Sequence, residues 1–234
     1  MINLRIKKIF NRLKAILSIG QNYYQGELYE YFDNLFLQLE KKEITPDEAK
    51  NKVNKLFNNN KEFNLHFNKW TKNNRSNFSS IGQMIRPFRR IRFGIIYINK
   101  DEYEPVHYHG GFSSFQIVLK GDCILDEFDT FELSKKSIKY KSHKRIHIKE
   151  NDVMLNYSNY RDMHGFGAKN GSVYILSVAK YYGFLGKFKF DFIKPEVNKR
   201  VYVDIKNQKA IKEEIFESPL IDKNEAYAKY INLE

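Results

Sequence analysis

The chain has one cysteine, Cys123, along with five prolines and one tryptophan in 234 residues. A lone thiol cannot close an intrachain disulfide, so a disulfide-stapled secreted scaffold is excluded and a reducing, cytoplasmic setting is expected. No apolar run approaches the ~18 residues that a membrane-spanning helix needs. The longest, FGIIYI (93–98) and VYILSVA (173–179), have the length and β-branched content of strands. Repeat, heptad and collagen-like periods are also missing. So are acidic residues near the start, where none precedes Glu27.

Aromatics are abundant instead: 16 Tyr and 19 Phe within a 42% hydrophobic chain. That is enough apolar surface for a real core, and it excludes whole-chain disorder. The net charge of +12 is uneven: residues 1–100 carry 19 Lys and Arg against 8 Asp and Glu, whereas residues 101–234 carry 21 against 20. A basic balance invites nucleic acid, yet no RNP-type aromatic pattern, zinc finger or homeodomain-like block accompanies it. Lysine mixed with asparagine and isoleucine is also what AT-rich coding produces. No nucleic-acid partner is expected.

Residues 1–65 read as helical. Ile2, Ile6, Ile9, Leu13 and Leu17 share one helical face, with Arg5, Lys8 and Arg12 elsewhere around it. Such a basic amphipathic helix can rest on an anionic membrane surface or resemble an import presequence; docking on the domain is the reading adopted. A second helix is expected over 27–41. A third should start at Thr45, where TPDE supplies a capping Thr, a first-turn Pro and acids, and end near Phe57. Residues 58–82, polar and rich in Asn, read as linker with a short helix around Trp70. Beyond 82 the period changes to short segments rich in Ile, Val, Phe and Tyr, separated by Gly, Asn and Asp. The expected division is a helical region and linker over 1–82, an all-β barrel over 83–205, and a C-terminal extension of short helices or loops, 206–234, packed on it.

Six histidines are present. Strand alternation puts His107 and His109 of EPVHYHGG on one face, able to converge on a metal ion. Further on, NDVMLNYSNYRDMHGFGA offers a tight turn at Asn151-Asp152 and a strand leading to His164. Together these segments resemble the two motifs of the cupin superfamily. The resemblance implies a mostly β, double-stranded β-helix (jelly-roll) barrel holding a metal on His107, His109 and His164. The family's usual Glu is missing, because GGFSSFQIVLK between His109 and Gly121 has no carboxylate.

Three-His centres without a carboxylate occur among cupins in the thiol dioxygenases, and HYHGGFSSFQIVLKGDCILDEFD and DMHGFGAKNGSVYILSVAKYY resemble that branch. The resemblance implies Fe(II), with Ni, Zn or Mn suiting similar ligands, O2 as co-substrate, and oxidation of a small thiol or N-terminal cysteine to a sulfinate. Tyr181, with Tyr182 beside it, falls where cysteine dioxygenase has its catalytic Tyr. Arg86 or Arg90, in a stretch that also holds Arg89 and Arg92, falls where the substrate carboxylate is held. Departures are Ser114 in place of the crosslinking Cys, Ala179 in place of a His two residues after Ser177, and no Pro run beside the Tyr. A metal-dependent lyase, isomerase or carbon–carbon-cleaving dioxygenase is the alternative, and a non-catalytic cupin binding module is a third. Arg161-Asp162 could orient His164; His143 and His147 read as surface residues and His66 as a packing residue. The expectation for the centre is that no Asp or Glu stands at it. If Glu102, Glu104 or Asp162 does, the site is a mixed His/carboxylate one and the alternative classes lead.

Overall fold

The computed structural model describes residues 23–60, 65, 67, 71, 78–86, 89–108, 112–133, 137–157, 163–182, 199–204, 209–212 and 221–230. The N-terminal amphipathic segment, His66 and Trp70 lie outside them. No helix among the described residues is long and apolar enough to cross a membrane.

Two helices come first, α1 (Tyr23–Glu40) and α2 (Pro46–Asn59). Thr45 caps α2 as its sequence requires. The Glu48 amide donates to Thr45 Oγ1 at 3.2 Å, and the Thr45 amide donates to Glu48 Oε2 at 2.7 Å, so two helix-start donors are satisfied reciprocally. The strands follow as β1 (Phe78–Arg86), β2 (Arg89–Ile98), β3 (Glu102–Tyr108), β4 (Phe112–Lys120), β5 (Cys123–Leu133) and β6 (Ser137–Ile148). Then come β7 (Val153–Asn156), β8 (Met163–Ala168), β9 (Val173–Tyr182), β10 (Lys199–Asp204), β11 (Lys209–Lys212), β12 (Ile221–Asp222) and α3 (Lys223–Tyr230).

The strands form two antiparallel sheets. One runs β1-β2-β9-β4-β7; the other runs β10-β11-β6-β5-β8-β3-β12. The inner orders β2-β9-β4-β7 and β3-β8-β5-β6 are those of a jelly roll. Because β10 pairs with both β11 and β3, the strands β3, β8, β5, β6, β11 and β10 also make a continuous circuit of pairing. A closed circuit leaves fewer unpaired edges.

Two differences from the sequence reading concern edges. β1 begins at Phe78, inside the segment read as linker, and the tail contributes β11 and β12 to the second sheet as well as α3. Both segments are short or polar, and their strand state depends on partners that lie far away in sequence.

Alternation along the first sheet sorts its two faces. Ile91, Phe93, Ile95, Phe115, Ile117, Val153, Leu155, Leu176 and Val178 share one core with the apolar sides of α1 and α2. Phe32 and Phe93 meet edge-on at 5.6 Å, and Phe36 and Phe115 pack at 5.0 Å. Lys180, buried on this side, pairs with Glu40 at the end of α1. The opposite face looks at the second sheet. There Ile96, Ile98, Val118, Met154, Val173 and Ile175 pack against Cys123, Leu125, Phe166 and Ala168. Cys123 is therefore sealed in an apolar layer, where burial pushes its thiol up to about 12.

The far side of the second sheet has its own core, built from Tyr103, Phe128, Tyr140, Met163 and Val203. Gly165 and Gly167 leave this side of β8 bare, and the Tyr103 ring fills the gap; a Cβ at Gly165 would run into its hydroxyl. That hydroxyl donates to Asp126 Oδ2 at 2.7 Å. Gly165→Ala should therefore cost about 1–3 kcal/mol through overpacking. Measured by urea unfolding, the cost should shrink when Tyr103→Phe removes the clashing oxygen, giving a non-additive double mutant.

Candidate metal centre

Three neighbouring strands carry the centre. Glu127 of β5 is directly opposite His164 of β8, and His164 is opposite His107 of β3. Residues opposite one another in an antiparallel pair share a face, so the three form a row across the sheet. That face is the one turned to the first sheet. His164 stacks on Phe166 with centroids 5.6 Å apart, Phe166 lies in the layer between the sheets, and the His107 ring is 6.2 Å from it. The two imidazole centroids are 4.6 Å apart, and both residues are buried.

Glu104 joins them through a bulge. Alternation from His107 backwards would turn Glu104 to the opposite face, but the β3–β8 register shifts between Glu104 and His107. Pro105, which has no N–H to give to a ladder, sits inside the shift. Its carbonyl accepts from His107 Nδ1 at 2.9 Å; a carbonyl can only accept, so the proton is on Nδ1. Nε2 then lies 3.7 Å from Glu104 Oε1. That is too long for a direct hydrogen bond and close to the ~3.4 Å between two ligands of one tetrahedral ion with bonds of ~2.1 Å. Burial pushes the Glu104 carboxyl up to about 8. Burial, and then the nearness of His107, lowers the His164 imidazole well below its ordinary range, which keeps it neutral as a metal ligand must be.

The donor chemistry fits a divalent ion: two imidazoles beside a buried carboxylate suit Fe(II), Zn, Ni or Mn. Among the described residues, no three His, Cys, Asp or Glu side chains stand close enough together to enclose an ion. His109, the third histidine of the motif, lies outside the described residues, as do Arg161 and Asp162.

Against the expectation that no carboxylate stands near the histidines, Glu104 Oε1 lies 3.7 Å from His107 Nε2 and Glu127 is opposite His164. Glu102 lies away from them, at the β2–β3 turn, accepting from the Asn99 amide at 2.9 Å. His143 is also corrected. It is not a free surface residue but donates from Nε2 to the buried Asp126 at 2.8 Å and stacks on Phe128 at 4.6 Å. His147 is exposed, beside Asp122 and Lys169.

Tyr181 is buried on the inward face of β9, clustered with Phe112 and Ala179, its ring 5.0 Å from that of Phe112. Arg90 is in register with Tyr181, and Arg86 pairs with Arg89 at the β1–β2 hairpin; their side chains, like that of Tyr182, lie outside the described set. Arg92 is placed: its guanidinium lies 4.4 Å above the Phe78 ring. Ser114 is fully buried on the inward face of β4, between Ala179 and Asn156.

No family model matches the sequence, and no curated protein sequence matches it. Solved structures do. A cupin-2 domain protein of Shewanella frigidimarina is 14% identical with a TM-score of 0.34, over 50% of this chain and 90% of that one. Vicilin of Capsicum annuum is 14% identical with a TM-score of 0.32, over 41% of this chain and 24% of that one. An Acinetobacter L-ribose isomerase is 13% identical with a TM-score of 0.31, over 39% of this chain and 48% of that one. The matches thus span about a quarter of the vicilin and half of the isomerase. The fold is a jelly roll of two antiparallel sheets. That statement rests on this chain's own strand order, in which the two inner sheets run β2-β9-β4-β7 and β3-β8-β5-β6.

Proposed function

We propose that this chain is a metal-dependent enzyme that moves protons on a small oxygen-bearing substrate, as an isomerase or lyase does. The ligands would be His107 and His164, with His109 from the motif and Glu104 beside them. The observation that carries this reading is the buried Glu104 carboxyl 3.7 Å from His107 Nε2. A bare three-His centre would be strongly cationic and favour a thiolate; a carboxylate within it offsets that charge and removes the preference. A bound divalent ion supplies Lewis acidity, polarising a substrate carbonyl or hydroxyl. The chain's own residues supply the rest. Glu104 and Glu127, both buried beside the histidines, would accept and return protons. Phe166 and Leu125 belong to the apolar layer next to the histidines and would keep water from that side.

Tyr181 favours a second reading, ferrous oxidation of a small thiol by O2, because it is buried among Phe112 and Ala179 on the inward face. Two measurements separate the readings. Metal-loaded protein is incubated without oxygen in D2O with a panel of aldoses, ketoses and hydroxy acids, and deuterium uptake is followed by mass spectrometry. Exchange is expected, and Glu104→Gln should lower it by about 100-fold or more. Oxygen consumption matched to sulfinate formation from cysteine, cysteamine or 3-mercaptopropionate, with no exchange, would establish the second reading instead. Activity in neither assay, with no metal retained, would leave a binding module.

A further inference from the structure

We infer that the wall facing the two histidines, built by Ser114, Gln116 and Asn156, recognises a neutral, polyhydroxylated substrate. This deepens the proposed function and rests on it.

The wall's orientation follows from alternation. On β4, Phe115, Ile117 and Leu119 belong to the core under the helices, and Val118 belongs to the layer between the sheets. Ser114 and Gln116 share the parity of Val118 and so turn toward the second sheet. On β7, Val153 and Leu155 face the helices and Met154 faces inward, which turns Asn156 inward too. The two sheets change character at the same level. Above the apolar layer of Val118, Met154, Leu125 and Phe166, one sheet presents Gln116, Ser114 and Asn156, and the other presents Glu127, His164 and His107.

The chemistry of the wall is unsaturated. Ser114 is 0% exposed, and its hydroxyl has no hydrogen-bond partner among the described residues. Asn156 Nδ2 and Gln116 Oε1 are 3.5 Å apart, at the outer limit of a hydrogen bond. A buried hydroxyl left unpaired carries a desolvation cost that a ligand would relieve. Hydroxyls and carboxamides both donate and accept, as does each hydroxyl of a polyol; a carboxylate or thiolate only accepts. None of the three wall side chains carries a charge, and Arg92 is stacked on Phe78; Arg90 and Arg200 stand in register with Tyr181 and His107. A ligand with several neutral hydroxyls matches these three side chains.

The test is calorimetric titration of the full chain, metal-loaded, with pentoses, hexoses and linear polyols, against 3-mercaptopropionate and cysteine. At least one polyhydroxylated probe should bind saturably. Ser114→Ala should weaken it about 3–10-fold, and the volume-matched Gln116→Met and Asn156→Leu by at least as much. Thermal unfolding checks that each variant folds, and metal analysis should show unchanged loading. Binding of the thiol carboxylates but no polyol, or polyol affinity unmoved in all three variants, overturns the inference. Those outcomes are separate from failure of the metal centre, which would show as absent metal in the unaltered protein.

Discussion

Replacing His164 by alanine is expected to lower metal content more than ~10-fold, beyond what the loss of a supporting partner costs. His164 is fully buried between the His107 and Phe166 rings, so its removal also deletes packing. His164→Gln, which keeps most of the volume, should show the same metal loss with less destabilisation. His147→Ala is the control: His147 is exposed, with Asp122 Oδ2 3.6 Å away, and its loss should leave metal content alone. His109→Ala then decides the third ligand. Loss comparable to that of His164→Ala makes His109 a ligand, whereas retention would leave Glu104 as the third donor. Metal analysis of freshly purified variants reads all four.

Replacing Asp126 by alanine should destabilise the fold by about 3–5 kcal/mol, the cost of breaking a buried ion pair. The carboxylate accepts from Tyr103 Oη at 2.7 Å, His143 Nε2 at 2.8 Å and Arg145 Nε at 2.9 Å, tying β3, β5 and β6 together. Arg145 is partly exposed, so water screens its share, and most of the loss comes from the buried donors left behind. In thermal unfolding this corresponds to a fall of roughly 10 °C.

The same cluster sets an acid limit. Burial alone would raise the Asp126 pKa, but the hydrogen bonds from His143, Arg145 and Tyr103, with the charge of Arg145, outweigh it and hold the carboxyl below its ordinary range. With the folded pKa below the unfolded one, the unfolded chain binds more protons in acid. The stabilisation is present above the unfolded value of ~3.9 and is lost as pH falls through the folded one. Urea unfolding should therefore show stability rising more steeply with pH across that window in the natural chain than in Asp126→Asn. Equal slopes would show that Asp126 contributes nothing to acid sensitivity.

Local rules made much of this legible. The TPDE box announced α2 because Thr, Pro and Glu act on backbone groups within three residues of themselves. Short β-branched runs announced the strands, and the resemblance to the cupin motifs pointed to His107 and His164. Glu104 was named only as one of three carboxylates that would overturn the reading, because alternation turns it away from His107, and the bulge that reverses this becomes visible only when β3 is paired with β8. Pro105 inside a strand was the one signal, since proline in a ladder marks an edge or a bulge. His143 was misread for a related reason: its Lys-rich strand looks wet, yet Asp126 on β5 draws it into a buried cluster.

The sequence by itself determined the periodic features: two helices, the second with its Thr45 cap, a run of short strands, a lone cysteine and two histidines in segments that resemble the cupin motifs. These depend on spacing along the chain and on the character of single residues. Tertiary structure alone decided which polar side chains share a space. It set Glu104 and Glu127 beside His107 and His164, turned Ser114, Gln116 and Asn156 to face them, and drew the tail into the second sheet. Register and bulges make those choices, and a shift of one residue carries a side chain to the opposite face of its sheet.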